Sequence, residues 1–320
     1  MADTHEPDTH TMNMKTLAAP LSPMWKSLPL PLRGLLRTMR PTQWVKNGFV
    51  FAGIMFDQQL LELEPLARVL AAFALLSLAA SAIYIINDLV DIERDRQHPR
   101  KKNRALPSGQ LPVSLAVAAA VILPIVSIGG GLLIDLELAV VIVGYLALHI
   151  AYSFWLKNIV IIDVFAIAAG FILRVEAGVV VIDVSNFSPW LYVCAGLLAL
   201  FLAIGKRRQE MIMLASNAEN HRETYKDYNM ALLDDMLRMV TIGSVLTYML
   251  YTIEAPTIRT TGHRMMLTVP FVIYGVFRYL YLIHVKGEGS APDELLFKDM
   301  PLLADVILWV VAVGLILYVL

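Results

Sequence analysis

Long apolar stretches alternate with short polar connections along almost the whole chain after residue 40. Most of these stretches approach the roughly 20 residues that a transmembrane helix needs. The pattern therefore predicts an all-α fold, a polytopic membrane bundle of nine transmembrane helices. The predicted spans are 45–60, 66–87, 112–134, 136–154, 159–181, 188–205, 238–254, 265–285 and 301–320.

The N-terminal region has a different composition from the rest of the chain. Residues 1–32 contain five prolines among polar side chains, and they lack the compact apolar core of a signal peptide. We expect a disordered cytoplasmic tail there, leading into a short interfacial helix around 33–39. Because the nine spans leave no room for a separate soluble domain, residues 33–320 are expected to form one membrane-embedded domain.

Composition supports a membrane protein. Hydrophobic residues make up 58% and charged residues 17% of the chain, against about 45–50% and about 25% in soluble domains. The mean hydropathy is +0.64. The net charge of −1 gives no sign of a nucleic-acid partner. The single cysteine, Cys194, excludes a framework of internal disulfides.

Lysine and arginine are distributed unequally between the two sides that nine spans define. Of the 26 such residues, 21 fall on the side of the N-terminus and three on the opposite side. The positive-inside rule therefore predicts a multi-pass protein of the cell (inner) membrane, with its N-terminus in the cytoplasm and its C-terminus outside. Two long charged loops, about 88–111 and 206–237, then both face the cytoplasm.

The first of these loops opens with an acidic pattern. Asn87, Asp88, Asp91 and Asp95 share one face if the segment is helical. Three carboxylates on one stripe repel each other unless a cation lies between them, and oxygen ligands of this kind suit Mg²⁺. A solvated acidic face paired with the neighbouring arginines is the alternative interpretation.

Basic residues follow in both loops. Lys101 and Arg104 would clamp a phosphorylated substrate beside the metal, although contact with anionic lipid explains such charge equally well. The second loop begins Lys206-Arg207-Arg208-Gln209-Glu210 and continues through Arg222 to Tyr228. Basic and tyrosine side chains of this kind suit phosphate oxygens and sugar hydroxyls.

Charged residues also occur within the predicted spans. Asp163 and Arg174 share a face of the fifth span, about 16 Å apart along its axis, and Arg278 lies in the eighth. Such residues usually face a cavity or one another. A structural pair, a transporter's polar pathway and an anion-binding role all remain open. Lys46 and Asn47 open the first span, where the lysine would anchor the interface or hold a lipid phosphate.

Several stretches together resemble a known family. Asn87-Asp88-x-x-Asp91-x-x-x-Asp95 after the second helix resembles the first aspartate motif of the UbiA superfamily of intramembrane prenyltransferases, and the resemblance extends from residue 40 to residue 320. Other stretches resemble one branch, the decaprenyl-phosphate phosphoribosyltransferases. They are Arg40-Pro41-x-Gln43-Trp44-x-Lys46-Asn47, His98-Pro99-x-Lys101-x-x-Arg104, Asp163…Gly170-Phe171-x-Leu173-Arg174-x-x-Ala177-Gly178 and Phe277-Arg278-Tyr279.

The resemblance implies a UbiA-like fold and a catalytic domain. Its reaction would be the Mg²⁺-dependent transfer of 5-phosphoribosyl from phosphoribosyl diphosphate to a decaprenyl-type polyprenyl phosphate, as used in cell-wall biosynthesis. An aromatic prenyltransferase that uses an allylic diphosphate is the alternative, but it would need a second aspartate-rich motif where residues 206–210 are basic. A membrane transporter is less favoured. Membrane lipid is an expected partner, a homo-oligomer is compatible with the sequence, and no nucleic acid is expected.

The resemblance and the residue patterns together select the candidate site. The catalytic candidates are Asp88, Asp91 and Lys46. The candidate metal ligands are Asn87, Asp88, Asp91 and Asp95. The substrate-binding candidates are Lys46, Asn47, Tyr84, Lys101, Arg104, Lys157, Asp163, Arg174, Lys206, Arg207, Glu210, Arg222, Tyr228 and Arg278.

Overall fold

The computed structural model describes residues 28–99, 101–184, 188–215, 227–254, 261–289 and 292–320. Within these ranges the regular structure is helical throughout, as the hydropathy pattern predicts. The α-helices are α1 (Leu30–Met39), α2 (Ala52–Phe56), α3 (Leu63–Val90), α4 (Ile92–Gln97), α5 (Val113–Ile134), α6 (Leu136–Phe154), α7 (Ile162–Val179), α8 (Pro189–Ala215), α9 (Met230–Glu254), α10 (Val269–Tyr281), α11 (Pro292–Lys298) and α12 (Met300–Tyr318). Two longer 3₁₀-helices, Pro41–Phe51 and Gly262–Thr268, precede α2 and α10, and a π-helical turn, Leu282–Lys286, follows α10.

Seven helical segments of the described chain are long and apolar enough to cross a membrane. They are Leu63–Val90, Val113–Ile134, Leu136–Phe154, Pro189–Met213, Met230–Ile253, Gly262–Lys286 and Met300–Tyr318. Each overlaps a predicted span. The prediction of an all-α membrane bundle is confirmed, whereas the exact count of nine is not.

The remaining two predicted spans differ for physical reasons. The first, 45–60, is divided between the 3₁₀-helix Pro41–Phe51 and the five-residue α2. The fifth is one continuous helix, α7, but its 18 residues include Asp163, Arg174 and Glu176. Charged side chains in a spanning helix are costly unless they face protein or a polar cavity. This helix therefore depends on its neighbours more than its apolar content suggests.

Helix α7 lies at the centre of the fold. One group of buried apolar side chains joins it to the first 3₁₀-helix, α2, α3 and α6. A second group joins it to α8, α9, α10, α11 and α12. Both core groups thus meet on the helix that carries Asp163 and Arg174, which are themselves buried.

The 3₁₀-helix Pro41–Phe51 packs between α3 and α7. Asn47 donates from Nδ2 to the hydroxyl of Ser77 on α3 at 3.0 Å. On α7, a Cβ atom at Gly178 would lie 1.8 Å from the carbonyl oxygen of Val50, so only glycine allows this approach. A 3₁₀-helix rises about 2.0 Å per residue. The short segment therefore extends farther along its neighbours than an α-helix of equal length.

Consecutive long helices pack against each other and run antiparallel, so alternate termini gather at two ends of the bundle. At one end, the hydroxyl of Tyr318 in α12 donates to the carbonyl oxygen of Met55 in α2 at 3.0 Å. The opposite end collects the end of α3, the start of α7 and the end of α8. The polar residues of interest lie there.

Several helix ends differ from the prediction. Helix α8 continues to Ala215 and α9 begins at Met230, so both edges of the predicted loop 206–237 are helical. Helix α1 begins at Leu30, inside the stretch predicted as a tail. Residues 1–27 of that stretch lie outside the described residues. The extra turns of α8 and α9 carry charged residues, which a hydropathy boundary assigns to loops, whereas the extra residues of α1 are Leu30, Pro31 and Leu32.

Candidate active site

Two carboxylates of the aspartate motif are buried where α3 ends. Asp88 and Asp95 are 4% and 1% exposed. Arg104 joins them, because its Nη1 donates to Asp95 Oδ2 at 2.6 Å and to Asp88 Oδ1 at 3.3 Å. Buried charges are stable only when they are paired. The guanidinium therefore accounts for how two carboxylates share one buried space.

A second arginine reaches the same carboxylate from the N-terminal segment. Arg40 Nη2 donates to Asp88 Oδ1 at 2.6 Å, and the guanidinium lies 4.9 Å from the ring centroid of Tyr84. The Arg40 backbone is left-handed, with φ 54° and ψ 61°, which costs a non-glycine residue about 1–2 kcal/mol. The ion pair and the ring contact offset that cost. Asp88, Asp95, Arg40 and Arg104 form the acidic cluster.

The helix does not run through the aspartate motif as the sequence pattern predicts. Helix α3 ends just before Asp91, whose φ of −91° and ψ of 6° interrupt the helix, and α4 begins just after it. The side chain of Asp91 is 37% exposed and lies 3.5 Å from Arg94. The predicted stripe on one helical face is therefore wrong. Asp88 and Asp95 come together, while Asp91 and the half-buried Asn87 lie nearer the surface.

The acidic cluster has one unsatisfied oxygen. Asp95 Oδ1 is buried and accepts no hydrogen bond in the described part of the chain, and Lys101 Nζ lies 3.7 Å away. No three acidic, histidine or cysteine side chains among the described residues lie close enough to hold a metal unaided. However, Mg²⁺ is commonly bound by one or two carboxylates, with water and phosphate oxygens completing its coordination. The donor chemistry of the cluster fits such an ion.

Four predicted substrate-binding residues meet with Tyr152 in a second polar group, the Arg207 network. Arg207 donates from Nε to Asp163 at 2.6 Å and from Nη1 to Glu210 at 2.5 Å. Its Nη2 donates to the hydroxyl of Tyr152 at 3.0 Å. The hydroxyl of Tyr228 donates to the other oxygen of Asp163 at 2.8 Å. The start of α7 is thereby tied to the end of α8.

The Arg207 network is enclosed by protein. The side chains of Arg207 and Asp163 are 2% and 0% exposed. Burial, together with the hydrogen bond to Asp163, raises the pKa of the Tyr228 hydroxyl above its ordinary range, so this group stays a neutral donor. All three nitrogens of the guanidinium bind protein groups here. The predicted contact of Arg207 with a substrate phosphate stays a prediction.

Arg174 does not pair with Asp163, so the structural pair that the sequence left open is not formed. Its Nε donates to Asn47 Oδ1 and its Nη2 to the hydroxyl of Tyr145, both at 2.9 Å. Eleven residues along one helix separate the two charges by about 16 Å, which no pair of side chains spans on a straight helix. In the described part of the chain, no carboxylate lies within ion-pair distance of Arg174, and its guanidinium links α7, α6 and the 3₁₀-helix.

Two substrate-binding candidates, Lys46 and Arg278, bind protein groups. Lys46 Nζ donates to Gln43 Oε1 at 2.6 Å. Arg278 holds both carboxylate oxygens of Asp299, with Nε at 3.0 Å and Nη2 at 2.8 Å from its acceptors. The bidentate pair fixes the end of α10 to the start of α12. The predicted role of each cation at a phosphate stays a prediction.

The other basic candidates occupy varied positions. Lys206 is 43% exposed at its side chain and lies 4.0 Å from Glu210, so it can reach a ligand from the edge of the Arg207 network. Lys157 is half-buried in the 3₁₀ turn before α7. Arg222 lies outside the described residues.

A comparison with known families shows the family to which this chain belongs. The model of the UbiA prenyltransferase family matches residues 48–298, a range that contains the aspartate motif and the residues of the Arg207 network. This chain belongs to the UbiA prenyltransferase family. The resemblance drawn from the aspartate motif is confirmed, and the chain is a multi-pass membrane protein.

Curated relatives indicate which branch of the UbiA family this chain is similar to. The chain is 30% identical over 289 residues to decaprenyl-phosphate phosphoribosyltransferase of Mycobacterium tuberculosis, covering 88% of this chain and 93% of the relative. It is 32% identical over 297 residues to the enzyme of the same name from Corynebacterium glutamicum, covering 89% and 87%. The prediction that this chain is an enzyme similar to these phosphoribosyltransferases is confirmed.

Two solved structures share the architecture of this chain. A UbiA homolog from Archaeoglobus fulgidus, bound to GPP and Mg²⁺, matches 89% of this chain and all of its own with a TM-score of 0.67 at 17% identity. Digeranylgeranylglyceryl phosphate synthase matches 89% of this chain with a TM-score of 0.62 at 19% identity. At these identities the likeness concerns the fold, and it confirms the UbiA-like bundle.

Sequence reasoning missed three side chains that the structure brings to these groups. Arg40 joins the acidic cluster, Tyr152 the Arg207 network, and Tyr145 the contacts of Arg174. A signal existed for Arg40, because it opens the first stretch of the family resemblance. The two tyrosines lie in apolar helix α6, where their spacing carries no sign of a distant partner.

Proposed function

We propose that this UbiA-family member transfers the 5-phosphoribosyl group of phosphoribosyl diphosphate to a decaprenyl-type polyprenyl phosphate. The products are polyprenyl phosphoryl 5-phosphoribose and diphosphate. The names of the relatives support this reaction, since similarity covers 88–89% of the chain. One structural observation carries the choice of donor. At the end of α8, where an allylic-diphosphate enzyme would need further metal-binding carboxylates, Arg207 instead pairs with both Asp163 and Glu210.

The acidic cluster is the proposed site of Mg²⁺. Asp88 and Asp95 would be its ligands, with Asn87 and Asp91 at the rim. Bound there, Mg²⁺ would stabilise negative charge on the departing diphosphate. Asp95 Oδ1 supports this assignment, because a buried carboxylate oxygen that accepts no hydrogen bond carries a desolvation penalty that a directly bound cation would reduce.

The reaction asks the protein mainly to position two anions. The bond from the anomeric carbon to the diphosphate oxygen breaks, and a bond from that carbon to an acceptor phosphate oxygen forms. The carbon gains oxocarbenium character on the way. Since the acceptor is already ionised, no general base is needed. Lys101, Arg104 and Lys206 are proposed to hold the donor's phosphates, and Lys46 the lipid phosphate.

The active end of the bundle is proposed to face the cytoplasm. Charged donor and metal are available on that side, and a lipid phosphate there avoids the cost of moving charge into the bilayer. Single cysteines in a Cys194→Ser background at Gln97 and Leu320 test this arrangement. An impermeant thiol reagent applied to intact cells should label only position 320. Labelling of position 97 from outside would contradict it.

A direct assay tests the reaction. The full chain is purified in detergent and incubated with phosphoribosyl diphosphate, Mg²⁺ and decaprenyl phosphate, and released diphosphate and lipid product are measured. Diphosphate release should require both the acceptor and the metal. Geranyl diphosphate with an aromatic acceptor runs as a parallel reaction. If only that pair reacts, the chain is an aromatic prenyltransferase and the proposal fails.

A further inference from the structure

The carboxylates of the acidic cluster are neutralised by the protein's own cations. Asp88 accepts from both Arg40 and Arg104, and Asp95 accepts from Arg104. Two negative charges thus face two positive charges in a buried space. Any metal ion must compete with arginines already bound at 2.6 Å.

The arginines lie on the outer side of this cluster. The side chains of Arg40 and Arg104 are 32% and 36% exposed, whereas those of Asp88 and Asp95 are 5% and 1% exposed. The arginine side chains are therefore nearer to the solvent, from which a ligand arrives, than the carboxylates that they hold. They come from two different segments, one before the first 3₁₀-helix and one after α4.

Charge balance decides which ligand can enter. A bare divalent cation would add two positive charges beside carboxylates that the two arginines already neutralise, with Lys101 Nζ a further cation 3.7 Å from Asp95 Oδ1. It would leave both arginines without their carboxylate partners. A diphosphate brings at least as much negative charge as the metal brings positive charge. Guanidinium groups bind phosphate oxygens as well as carboxylates, often through two parallel hydrogen bonds. The arginines can therefore leave the carboxylates only when a phosphate is there to receive them.

We propose that Arg40 and Arg104 exchange partners during donor binding. In the free protein they hold Asp88 and Asp95. When a metal–diphosphate arrives, the metal takes the carboxylates and the arginines pass to the phosphate oxygens. This inference rests on the proposed function and adds Arg40 as a donor-binding residue. It makes metal and diphosphate binding strongly cooperative, because each ligand removes the obstacle to the other.

The size of the effect follows from typical coupling between two sites, roughly 5- to 150-fold in affinity. Diphosphate should tighten metal binding to the wild-type protein within that range. Replacing Arg40 should have two opposite consequences. The metal alone should bind more tightly, since one competing cation is gone, and the metal–diphosphate should bind more weakly, since one phosphate contact is gone.

Mn²⁺ binding to the full-length protein in detergent provides the test. Electron paramagnetic resonance reports free Mn²⁺ in titrations with and without inorganic diphosphate, against blanks that contain Mn²⁺ and diphosphate but no protein. The variants are Arg40→Gln and Arg40→Lys, and the matched control is Arg96→Gln. Arg96 lies on α4 and its exposed side chain pairs with Glu93 at 2.5 Å. Elution volume and thermal midpoint verify that each variant is folded.

The expected result is opposite signs in Arg40→Gln, with Mn²⁺ alone bound more tightly and Mn²⁺–diphosphate bound more weakly, and no change in Arg96→Gln. Arg40→Lys should keep weak binding of Mn²⁺ alone. Loss or no change of both affinities in Arg40→Gln would overturn the exchange, even if the wild-type protein transfers phosphoribosyl. If the wild-type protein binds no metal–diphosphate at all, the exchange and the proposed metal site fail together. The transfer assay then judges the proposed reaction separately.

Discussion

Replacement of Arg207 by methionine tests whether this residue stabilises the fold or only binds a substrate. The arginine is almost fully buried and holds Asp163, Glu210 and Tyr152 at once. Methionine fills part of the same volume without a charge. Asp163 would then be left as a buried carboxylate with the hydroxyl of Tyr228 as its remaining side-chain donor.

The expected loss of stability follows from typical values for buried ion pairs. Removing one partner from a buried ion pair typically costs about 3–5 kcal/mol, because the other charge stays desolvated. Replacing both partners by apolar residues is often neutral, since no charge is left behind. We therefore expect Arg207→Met to be strongly destabilising. Arg207→Met combined with Asp163→Leu should be less destabilising than the sum of the two single changes, because the charge then left without this arginine is that of Glu210, whose side chain is 28% exposed.

Thermal unfolding in one detergent, at one scan rate, measures the effect. A loss of this size should lower the midpoint by roughly 5–15 °C. The control is Arg238→Gln, because Arg238 pairs with Asp235 at a similar distance, 2.7 Å, on the exposed surface. Such surface pairs contribute about 0–1 kcal/mol. If Arg207→Met leaves the midpoint unchanged, the structural role is refuted. If the double variant loses as much as the two single variants together, Arg207 and Asp163 are not coupled.

Three further predictions concern the metal site, the helix packing and the helix α12 start. Asp88→Asn should lower the transfer rate about 100-fold or more by removing a charged ligand, with an unchanged elution profile; normal turnover would contradict the metal role. Gly178→Ala should lower the free energy of unfolding by the cost of overpacking, about 1–3 kcal/mol or more, because a Cβ atom has no space there; the thermal midpoint should fall accordingly. In the control Gly144→Ala, the added Cβ meets nothing within 4 Å, and the midpoint should not change. The hydrogen bond from Arg278 lowers the pKa of Asp299, so this pair stabilises the protein above the carboxylate's unfolded pKa and its contribution disappears as pH falls through the lowered value. The stability deficit of Asp299→Asn, measured by thermal unfolding from pH 7 downward, should shrink accordingly.

The sequence pattern predicts the membrane bundle well because one force dominates it. Apolar runs long enough to span a bilayer must form helices, since every backbone polar group in lipid needs an internal partner. The seven spanning helices of the described chain all overlap predicted spans. The first and fifth predicted spans are not among these seven. In the first, the carbonyl oxygen of Val50 lies too close to Gly178 for any Cβ atom there, and periodicity carries no information about such a contact.

The candidate site shows a different limit. The acidic pattern selects the candidate residues, but equal spacing on a helix assumes that the helix is continuous. The break at Asp91 separates that residue from Asp88 and Asp95. At Asp91 the φ of −91° is close to a helical value and the ψ of 6° is not, and no glycine or proline in the sequence marks the break. Only the positions of Arg104 and Arg40 show which carboxylates remain together.

The spacing of charged residues in the sequence does not show reliably which of them pair with each other. Asp163 and Arg174 are on the same helix face, so the sequence suggests a pair, yet each finds its partners on other elements. Arg40 and Asp88 also pair between different elements, although they lie 48 residues apart in the chain. A charged residue inside a membrane protein is a reliable sign of a partner, but a partner within reach on the same helix is only one solution. Where the nearer pairing does not form, a buried charge must have a partner on another element. In this protein such pairings join the N-terminal segment to the aspartate motif, and α7 to α8.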